Sequence, residues 1–481
     1  MTILLSIGGQ DCAASNQKEY KRINPVTGEI ASICSAATLD DIKVVTQAAN
    51  DAFQNWSHAS PADRRILLNR TADIMETKQE EFVQAMINET GSTTQWAQFN
   101  VMLAANHIRE AAALTTNVGG EVIPSNKPGT LAMSIRTPKG VCLAMAPWNA
   151  PIILGSRAIA TPLACGNTVI LKSSEFCPLT HRLTIDCFLQ AGFPPGVVNF
   201  VSNDPSDASV IVKALIEAPQ VRHVNFTGSS AVGRIIGSIA GENLKPALLE
   251  LGGKAPLVVL SDADIEGAVN AAVFGAFMNQ GQICMSTERV IVESCIADEF
   301  VKKFTIKASK LSWGDPRDHV ILGSLVNPDV SDKMNEMIKD AVAKGAKLLC
   351  GGESRGSIFA PTLLDCVDSS MRIYREESFG PVKSIIRVKD DEEAIQVAND
   401  TNYGLSSAVF SQDINRALKC ANAINSGICH INGSTVADEP HMPFGGVGDS
   451  GYGRFGGKSG VEEFTDIRWI TIEDSNQHYP F

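Results

Sequence analysis

The stretch VCLAMAPWNAPIILGSRAIATPLACGNTVIL (residues 141–171) decides the fold. It begins with an apolar run over 141–146, continues with a helix-like segment over 151–164 and ends with a second apolar run over 168–171. Short apolar runs separated by a helix are typical of a βαβ unit, whose strands are parallel and buried. The stretch therefore predicts the start of a parallel sheet flanked by helices.

The same alternation continues as far as residue 251. Further apolar runs and helix-like segments follow one another at 179–190, 197–201, 207–217, 223–226, 229–240 and 247–251. Open sheets of this type bind ligands in the crevice at the carboxyl ends of their strands. We therefore predict an α/β fold with a Rossmann-type parallel sheet and a ligand site along that edge.

Segments outside this sheet complete the organisation. A helix capped by Thr38 and a mostly helical region over 60–115 precede the sheet, and a second α/β-like stretch runs over 252–445. Two short extended runs within 119–139 predict a projecting hairpin, and the alternating tail over 464–481 predicts one added strand. Because exposed edge strands invite pairing with another copy, we expect a small β oligomerisation arm and a homodimer or homotetramer.

Composition excludes several classes of protein. The 481 residues are 44% hydrophobic and carry a formal net charge of −12, which disfavours nucleic-acid binding. The longest uncharged apolar stretch, 141–156, is too short for a membrane span, and no basic residue precedes Lys18 as a secretory signal would require. The 12 cysteines and 8 histidines are scattered without metal-ligand spacing. We expect a reduced cytoplasmic protein with no metal site.

Two residues are candidates for the central chemistry. Cys284 follows QGQI and would be a strong nucleophile as a thiolate, although most single cysteines are core filler. Glu250 ends an apolar strand, where a carboxylate is well placed as a general base, or else is a solvated strand end or a partner for Lys254. Taken alone, neither residue decides between its catalytic role and its structural alternative.

Two further features suit charge stabilisation. Asn149 follows Pro147 and Trp148 at a strand end, and its amide N–H could stabilise an oxyanion, although an asparagine in a turn commonly satisfies its own backbone. The segment 228–233 follows a strand and opens a helix, whose free N–H groups suit phosphate. The Gly-x-Gly-x-x-Gly fingerprint is absent, so a plain Gly-rich turn is the alternative.

Taken together, six motifs resemble the NAD(P)-dependent aldehyde dehydrogenase superfamily over essentially the whole chain. They are PWN (147–149), FTGS (226–229), ELGGK (250–254), QGQIC (280–284), ESFGP (377–381) and PFGG (443–446). Within the superfamily, the block 282–289 and the ending 478–480 resemble most closely the bacterial vanillin and salicylaldehyde dehydrogenases. The resemblance implies NAD-dependent oxidation of an aromatic aldehyde to its acid.

The resemblance implies a role for each candidate residue. Cys284 attacks the aldehyde carbon, the Asn149 amide and the Cys284 backbone N–H hold the oxyanion, and Glu250 activates the water that hydrolyses the thioester. Residues implied to bind the cofactor are Trp148, Lys172, Glu175, Gly228, Ser229, Gly233, Glu377 and Phe379. Lys172 and Glu175 would contact the adenosine ribose, Gly228 and Ser229 the pyrophosphate, and Glu377 the nicotinamide ribose. NAD is the expected cofactor, with NADP as a weaker alternative.

The resemblance also implies a division into domains. Residues 1–118 and 140–251 would form the NAD-binding domain, 252–445 the catalytic domain, and 119–139 with 464–481 the oligomerisation arm.

Some positions depart from the family pattern. Many members have a lysine nine residues after the asparagine, but this chain has Ala158 there, so a proton relay through that lysine is in doubt. The neighbouring Arg157 would shape the substrate pocket or pair with an acidic residue. Trp96 is a candidate for the pocket wall, with core packing as the alternative. A small neutral stretch usually follows the nucleophile, but here it is Ser286-Thr287-Glu288.

Other functions remain to be separated from this one. Oxidation of a semialdehyde or an aliphatic aldehyde would use the same catalytic residues with a different pocket. A coenzyme-A-acylating relative would generally lack the glutamate at Glu250. A binding or structural protein could keep the fold and lose the chemistry, but intact Cys284, Glu250 and Asn149 argue against it. The sequence does not rank aromatic aldehydes, fix the oligomer size or set the strength of the preference for NAD over NADP.

Overall fold

The computed structural model describes residues 2–474 and 479–481. Its strands are β1 (Thr2–Ile3), β2 (Leu5–Ile7), β3 (Gln10–Cys12), β4 (Glu19–Ile23), β5 (Ile30–Ser35), β6 (Glu121–Ile123), β7 (Leu131–Pro138), β8 (Val141–Met145), β9 (Thr168–Lys172), β10 (Val198–Val201), β11 (Val221–Thr227), β12 (Ala247–Glu250), β13 (Pro256–Val259), β14 (Arg289–Glu293), β15 (Lys347–Cys350), β16 (Ser354–Arg355), β17 (Ile358–Phe359), β18 (Thr362–Asp365), β19 (Val382–Val388), β20 (Ser406–Phe410), β21 (Ile428–Ile431), β22 (Gly451–Tyr452) and β23 (Thr465–Ile472).

The α-helices alternate with these strands. They are α1 (Leu39–Trp56), α2 (Pro61–Thr77), α3 (Gln79–Thr90), α4 (Thr94–Leu114), α5 (Pro151–Ala164), α6 (Pro178–Ala191), α7 (Ala208–Glu217), α8 (Ser230–Glu242), α9 (Ile265–Phe277), α10 (Ser294–Ala308), α11 (Asp329–Ala343), α12 (Arg372–Arg375), α13 (Asp391–Asn399), α14 (Ile414–Ala423) and α15 (Gly457–Glu463).

An eight-stranded sheet has the order β22-β12-β11-β8-β9-β10-β2-β3. The five strands from β12 to β10 pair in parallel, and β22, β2 and β3 add antiparallel edges. Strand order reverses between β8 and β11, because β9 and β10 extend the sheet on one side and β11 and β12 extend it on the other. Such a switch point opens a crevice at the carboxyl ends of the strands, where ligands bind in folds of this kind.

A seven-stranded sheet has the order β15-β18-β19-β14-β13-β20-β21 and is parallel except for β15. The link from β12 to β13 is only 251–255, so the carboxyl end of one sheet lies next to the amino end of the other. The fold is α/β, as predicted.

A three-stranded sheet joins the predicted hairpin to the predicted tail strand. β23 pairs antiparallel with β7 along eight residues, from Thr465 opposite Pro138 to Ile472 opposite Leu131, and β6 pairs with the other edge of β7. Its surface exposes Val122, Ile467 and Trp469. The tail motif at 478–480 begins at His478, which lies outside the described residues. The oligomerisation role of this sheet and the division into domains stay predictions.

Local chemistry accounts for where the first helices begin. Thr38 and Asp41 form a capping box at the start of α1, because each side chain accepts from the other's backbone N–H. Ser60 caps α2, whose first residue is Pro61. No helix among the described residues is long and apolar enough to cross a membrane.

Candidate active site

The candidate site lies where the carboxyl edge of the eight-stranded sheet meets the amino edge of the seven-stranded sheet. Trp148 and Asn149 follow β8, and Glu250 is the last residue of β12. Cys284 precedes β14, and Glu377 and Phe379 precede β19. Residues far apart in the sequence therefore converge because two sheet edges converge.

The loop before Cys284 has an unusual backbone. Asn279, Gln280 and Gly281 all have positive φ values, of 47°, 56° and 71°. A non-glycine residue in this region is strained, and such strain persists only where surrounding contacts hold it. The Gln280 side chain supplies one contact, because its Nε2 donates to the Ser324 carbonyl over 2.9 Å. The loop is thus held in one conformation next to Cys284.

Asn149 is tied to this loop at both ends. Its Nδ2 donates to the Gln282 carbonyl over 2.9 Å, and its own carbonyl accepts from Asn279 Nδ2 over 2.9 Å. Trp96 Nε1 donates to the same carbonyl over 2.9 Å. An asparagine amide carries two N–H hydrogens, so one remains to donate to a ligand beside Cys284. These bonds fix the position of the Asn149 amide relative to Cys284.

Gly253 permits the close approach of the Cys284 backbone. A Cβ at position 253 would lie 2.3 Å from the Cys284 carbonyl oxygen, so only glycine fits without displacing the chain. The Gly253 N–H donates to Glu377 Oε1 over 2.8 Å. The segment after Glu250 therefore organises both Cys284 and Glu377.

A cavity opens onto Cys284. Its apolar walls include Trp96, Phe99, Leu103, Ile153, Leu154, Phe274, Met278 and Phe444. The polar side chains among its described lining residues are Asn149, Cys284, Arg157 and Asp438. The cavity therefore suits a flat apolar molecule with a polar group at the Cys284 end.

Arg157 lines this cavity and is also ion-paired. Its side chain is 3% exposed and donates through Nη2 to Asp438 Oδ2. His107 Nε2 lies 3.2 Å from the same Nη2 and 3.5 Å from Asp438 Oδ2. The guanidinium carbon lies 4.3 Å from the centre of the Phe444 ring. Both readings of Arg157, as a pocket residue and as a partner of an acidic residue, describe its position.

Burial raises the pKa values of the Cys284 thiol and the Glu250 carboxyl group. The pKa of the Cys284 thiol is well above its usual range because of burial and, next, the charges of Glu250 and Glu377. Burial also raises the pKa of Glu250 to about 8, against the opposing charges of Arg157 and Arg454. Glu250 Oε1 is buried without a hydrogen-bond partner among the described residues. At neutral pH, both groups are therefore mainly protonated.

Candidate dinucleotide contacts lie along the same edge. Lys172 ends β9 and donates to Glu175 Oε1, which also accepts from Asn203 Nδ2 over 3.0 Å. Burial alone would raise the pKa of Glu175, but Lys172 and Asn203 outweigh burial and lower it. The Trp148 ring stands edge-on to that of Phe379, with 5.7 Å between centres.

The turn into α8 is compact. The Gly228 N–H donates to the Glu250 carbonyl over 2.9 Å, and Ser229 caps the helix. A Cβ at Gly233 would lie 2.4 Å from a methyl carbon of Leu251, so glycine here lets α8 pack closely on the sheet. A cleft with an empty volume of about 660 Å³ lies along this face of α8.

A buried ionic cluster supports the loop that carries Glu377 and Phe379. Glu288 accepts from Lys254 Nζ over 2.7 Å and from Lys383 Nζ over 2.9 Å. It also accepts from the Ser378 N–H over 3.0 Å and from the Ser378 hydroxyl over 2.6 Å. Burial alone would raise the pKa of Glu288, but the two lysines hold it well below its usual range. The unusual Glu288 thus anchors Ser378 between Glu377 and Phe379.

The structure brings the predicted catalytic residues into one site and adds residues that sequence reasoning missed. The additions are His107, Asp438 and Asn279, together with the ring walls at Phe99, Phe274 and Phe444. Phe444 lies within the PFGG motif and Asn279 directly precedes the QGQIC motif, so the sequence pattern pointed to both positions. Asp438 and His107 carried no pattern of their own. No group of three or more His, Cys, Asp or Glu within 2–474 and 479–481 could hold a metal ion.

Asn149 and Cys284 line an apolar cavity. It lies beside a sheet edge of the nucleotide-binding type, and this arrangement fits an oxidoreductase. The model of the aldehyde dehydrogenase family matches residues 12–470. The chain belongs to this aldehyde dehydrogenase family, as the motifs predicted.

Individual relatives are similar over the full length. The vanillin dehydrogenase of Pseudomonas fluorescens is 55% identical over 481 residues, which are 100% of each chain. The salicylaldehyde dehydrogenase of Pseudomonas putida G7, complexed with salicylaldehyde, has a TM-score of 0.98 at 48% identity and covers 100% of both chains. The betaine aldehyde dehydrogenase of Staphylococcus aureus, in complex with NAD+, has a TM-score of 0.94 at 31% identity over 99% of this chain and 95% of that one.

Proposed function

We propose that this enzyme oxidises an aromatic aldehyde to its carboxylic acid. The observation that carries the proposal is the cavity that opens onto Cys284, because Trp96, Phe99 and Phe444 give it flat apolar walls suited to a ring. Relatives that act on vanillin and salicylaldehyde support the same substrate class.

The chain's own residues account for the chemistry. The Cys284 sulfur adds to the aldehyde carbon and its proton leaves to a base, which gives a thiohemiacetal oxyanion. The free N–H of the Asn149 amide and the Cys284 backbone N–H stabilise that charge. After oxidation, a thioester remains on Cys284. Glu250 then takes a proton from a water molecule, and the hydroxide adds to the thioester carbon. The C–S bond breaks, the acid leaves, and Glu250 returns the proton to the Cys284 sulfur, so that the thiol re-forms.

The oxidation needs a hydride acceptor, and the sheet edge fits a nicotinamide dinucleotide. When bound, that cofactor accepts the hydride from the thiohemiacetal carbon. Lys172 and Glu175 offer a donor and an acceptor to ribose hydroxyls, the α8 N-terminus suits pyrophosphate, and Glu377 suits the second ribose. Trp148 and Phe379 supply an aromatic wall.

The carboxylate of Glu175 favours NAD over NADP. A 2′-phosphate would place negative charge beside this carboxylate and remove the hydroxyl that donates to it. We expect kcat/KM to favour NAD by roughly tenfold to a few hundredfold, or about 1.4–3 kcal/mol. Glu175→Ser should narrow the ratio and weaken NAD binding. Equal use of both cofactors by the wild type would contradict this assignment.

A substrate panel tests the central proposal. NADH absorbance is followed with benzaldehyde, vanillin, salicylaldehyde, a short aliphatic aldehyde and a short semialdehyde. We expect the aromatic aldehydes to have the higher kcat/KM, and Cys284→Ala to abolish their turnover while leaving NAD binding nearly intact. Preferred turnover of the semialdehyde would overturn the proposed substrate class.

We further propose a homodimer or homotetramer in the cytoplasm. The exposed apolar residues of the three-stranded sheet support assembly between copies. All 12 cysteines are free thiols, which suits a reducing compartment.

A further inference from the structure

Asp438 has one carboxylate oxygen that the protein leaves without a partner. Its Oδ2 accepts from Arg157 and faces His107 Nε2 at 3.5 Å. Its Oδ1 is buried and has no hydrogen-bond partner among the described residues. A buried acceptor of this kind costs free energy unless a ligand or a water molecule satisfies it.

Asp438 is part of the cavity that would hold the substrate. Asp438 lines the same cavity as Cys284 and Asn149, and its side chain is only 11% exposed. Arg157 also lines this cavity but is paired with Asp438, and His107 lies next to both side chains. A ring whose aldehyde carbon reaches Cys284 therefore has apolar walls on its faces and one fixed carboxylate beside it.

We propose that Asp438 is a specificity-determining residue that accepts a hydrogen bond from a hydroxyl group on the ring of the aromatic aldehyde. The inference rests on the proposed function and narrows it to hydroxylated aromatic aldehydes. Arg157 and His107 act as positioning residues, because they hold Oδ2 and so fix the direction of Oδ1. A site built to bond a substrate hydroxyl discriminates strongly against an analogue that lacks it.

The ionisation state of Asp438 also makes its carboxylate the acceptor in this hydrogen bond. Burial alone would raise the pKa of Asp438, but the charge of Arg157 and the bond with His107 outweigh burial and lower it to about 2. The carboxylate is therefore ionised at neutral pH and accepts hydrogen bonds without donating any. A neutral phenol hydroxyl fits this acceptor, whereas a methoxy group in the same place offers no hydrogen.

The test compares ratios of kcat/KM, so that effects common to all aldehydes cancel. Benzaldehyde, its 2-, 3- and 4-hydroxy derivatives and the matching methoxy derivatives are assayed with wild type and Asp438→Asn. In the variant, the amide oxygen can keep the bond from Arg157, which turns an NH₂ group toward the cavity. We expect the kcat/KM of at least one hydroxybenzaldehyde, divided by that of benzaldehyde, to be tenfold or more lower in Asp438→Asn than in wild type.

Val436→Ala is the matched control, since Val436 lines the same cavity without an acceptor. This variant should change the kcat/KM for benzaldehyde and for its hydroxy derivatives by similar factors. The wild type alone provides a second measurement if Asp438→Asn does not fold. In the wild type, the methoxy derivative that matches the recognised hydroxy derivative should have a kcat/KM no higher than that of benzaldehyde.

Three results would overturn the inference. The first is a set of ratios that all change less than threefold in Asp438→Asn. The second is equal turnover of hydroxy and methoxy derivatives by wild type. The third is a preference that grows as pH rises through the ionisation of the phenol, which would show a phenolate bound to Arg157. In each case benzaldehyde would still be oxidised, whereas failure of the proposed function would leave every aromatic aldehyde poorly used beside the semialdehyde.

Discussion

At the scale of single residues, the burial of Glu250 should set how turnover depends on pH. Its Oε1 has no hydrogen-bond partner among the described residues, and burial raises its pKa to about 8. Only the ionised form can take a proton from water. We therefore expect the steady-state rate of thioester hydrolysis to rise with pH through about 8 and then to level off.

Glu250→Gln is the companion measurement. Hydrolysis should slow more than the oxidation step, which gives a burst of NADH about equal to the enzyme concentration followed by slow turnover. The slow phase should lose the rise near pH 8. If the burst itself disappears, Glu250 activates Cys284 rather than water, and its assigned role is wrong.

Sequence reasoning reached residues with strong local patterns and missed those defined by distant contacts. Cys284, Glu250 and Asn149 each follow or end a recognisable apolar strand or motif, and the structure places them in one site. Asp438 and His107 meet Arg157 across 281 and 50 positions of the chain, respectively. No local periodicity reports such a meeting, so the ionic partner of Arg157 could be predicted only as some acidic residue.

At the scale of elements, the buried cluster around Glu288 should control cofactor binding through the loop before β19. Glu288 bonds both polar groups of Ser378, which lies between Glu377 and Phe379. Glu288→Gln should therefore raise the KM for NAD several-fold with a smaller change in the KM for the aldehyde. It should also lower stability by about 3–5 kcal/mol, since Lys254 and Lys383 lose a buried counter-charge.

Asp365→Asn is a matched control for that prediction. Asp365 is buried and pairs with Arg387 over 2.9 Å at the far end of the neighbouring strands. It should lower the melting temperature while leaving the KM for NAD close to that of wild type. A Glu288→Gln enzyme with reduced stability and an unchanged KM for NAD would show that the cluster is structural only.

Helix positions were predicted well where the apolar pattern was regular or the first turn carried a clear start signal. The helix expected over 151–164 is α5 (Pro151–Ala164), and the capping residues at Thr38 and Ser60 begin α1 and α2. The strand predicted within the tail 464–481 is β23, which pairs with β7 from Thr465 to Ile472. The left-handed run 279–281 was not foreseen, since tertiary contacts rather than propensity hold it.

At the scale of the whole molecule, the three-stranded sheet should hold copies together. Trp469 is 77% exposed and Val122 is 74% exposed on this sheet. Exposed apolar surface of this kind marks interfaces between proteins. We expect light scattering to give a mass of two or four times 51.4 kDa, and Trp469→Asp to shift it downward. Leu244→Asp, at a leucine outside the sheet that is 92% exposed, should leave the mass unchanged. An unchanged mass for Trp469→Asp would remove the sheet from the interface.

Glu250, the proposed base for hydrolysis, should lower the stability of the whole molecule as pH rises. Glu250 has an ordinary pKa of 4.5 when exposed and one of about 8 when folded, because burial disfavours its charge. Between these values the native state keeps a proton that the unfolded chain releases, so stability falls with rising pH. Gln has no proton to lose. The melting temperature of Glu250→Gln minus that of wild type should therefore grow from pH 5 to pH 8, by a few degrees, and stay constant above. Glu242→Gln, at an exposed position on α8, should show no such growth. A Glu250→Gln difference that is the same at pH 5 and pH 8 would show that Glu250 ionises in the folded enzyme as readily as in water, and its burial would then not explain its function as a base.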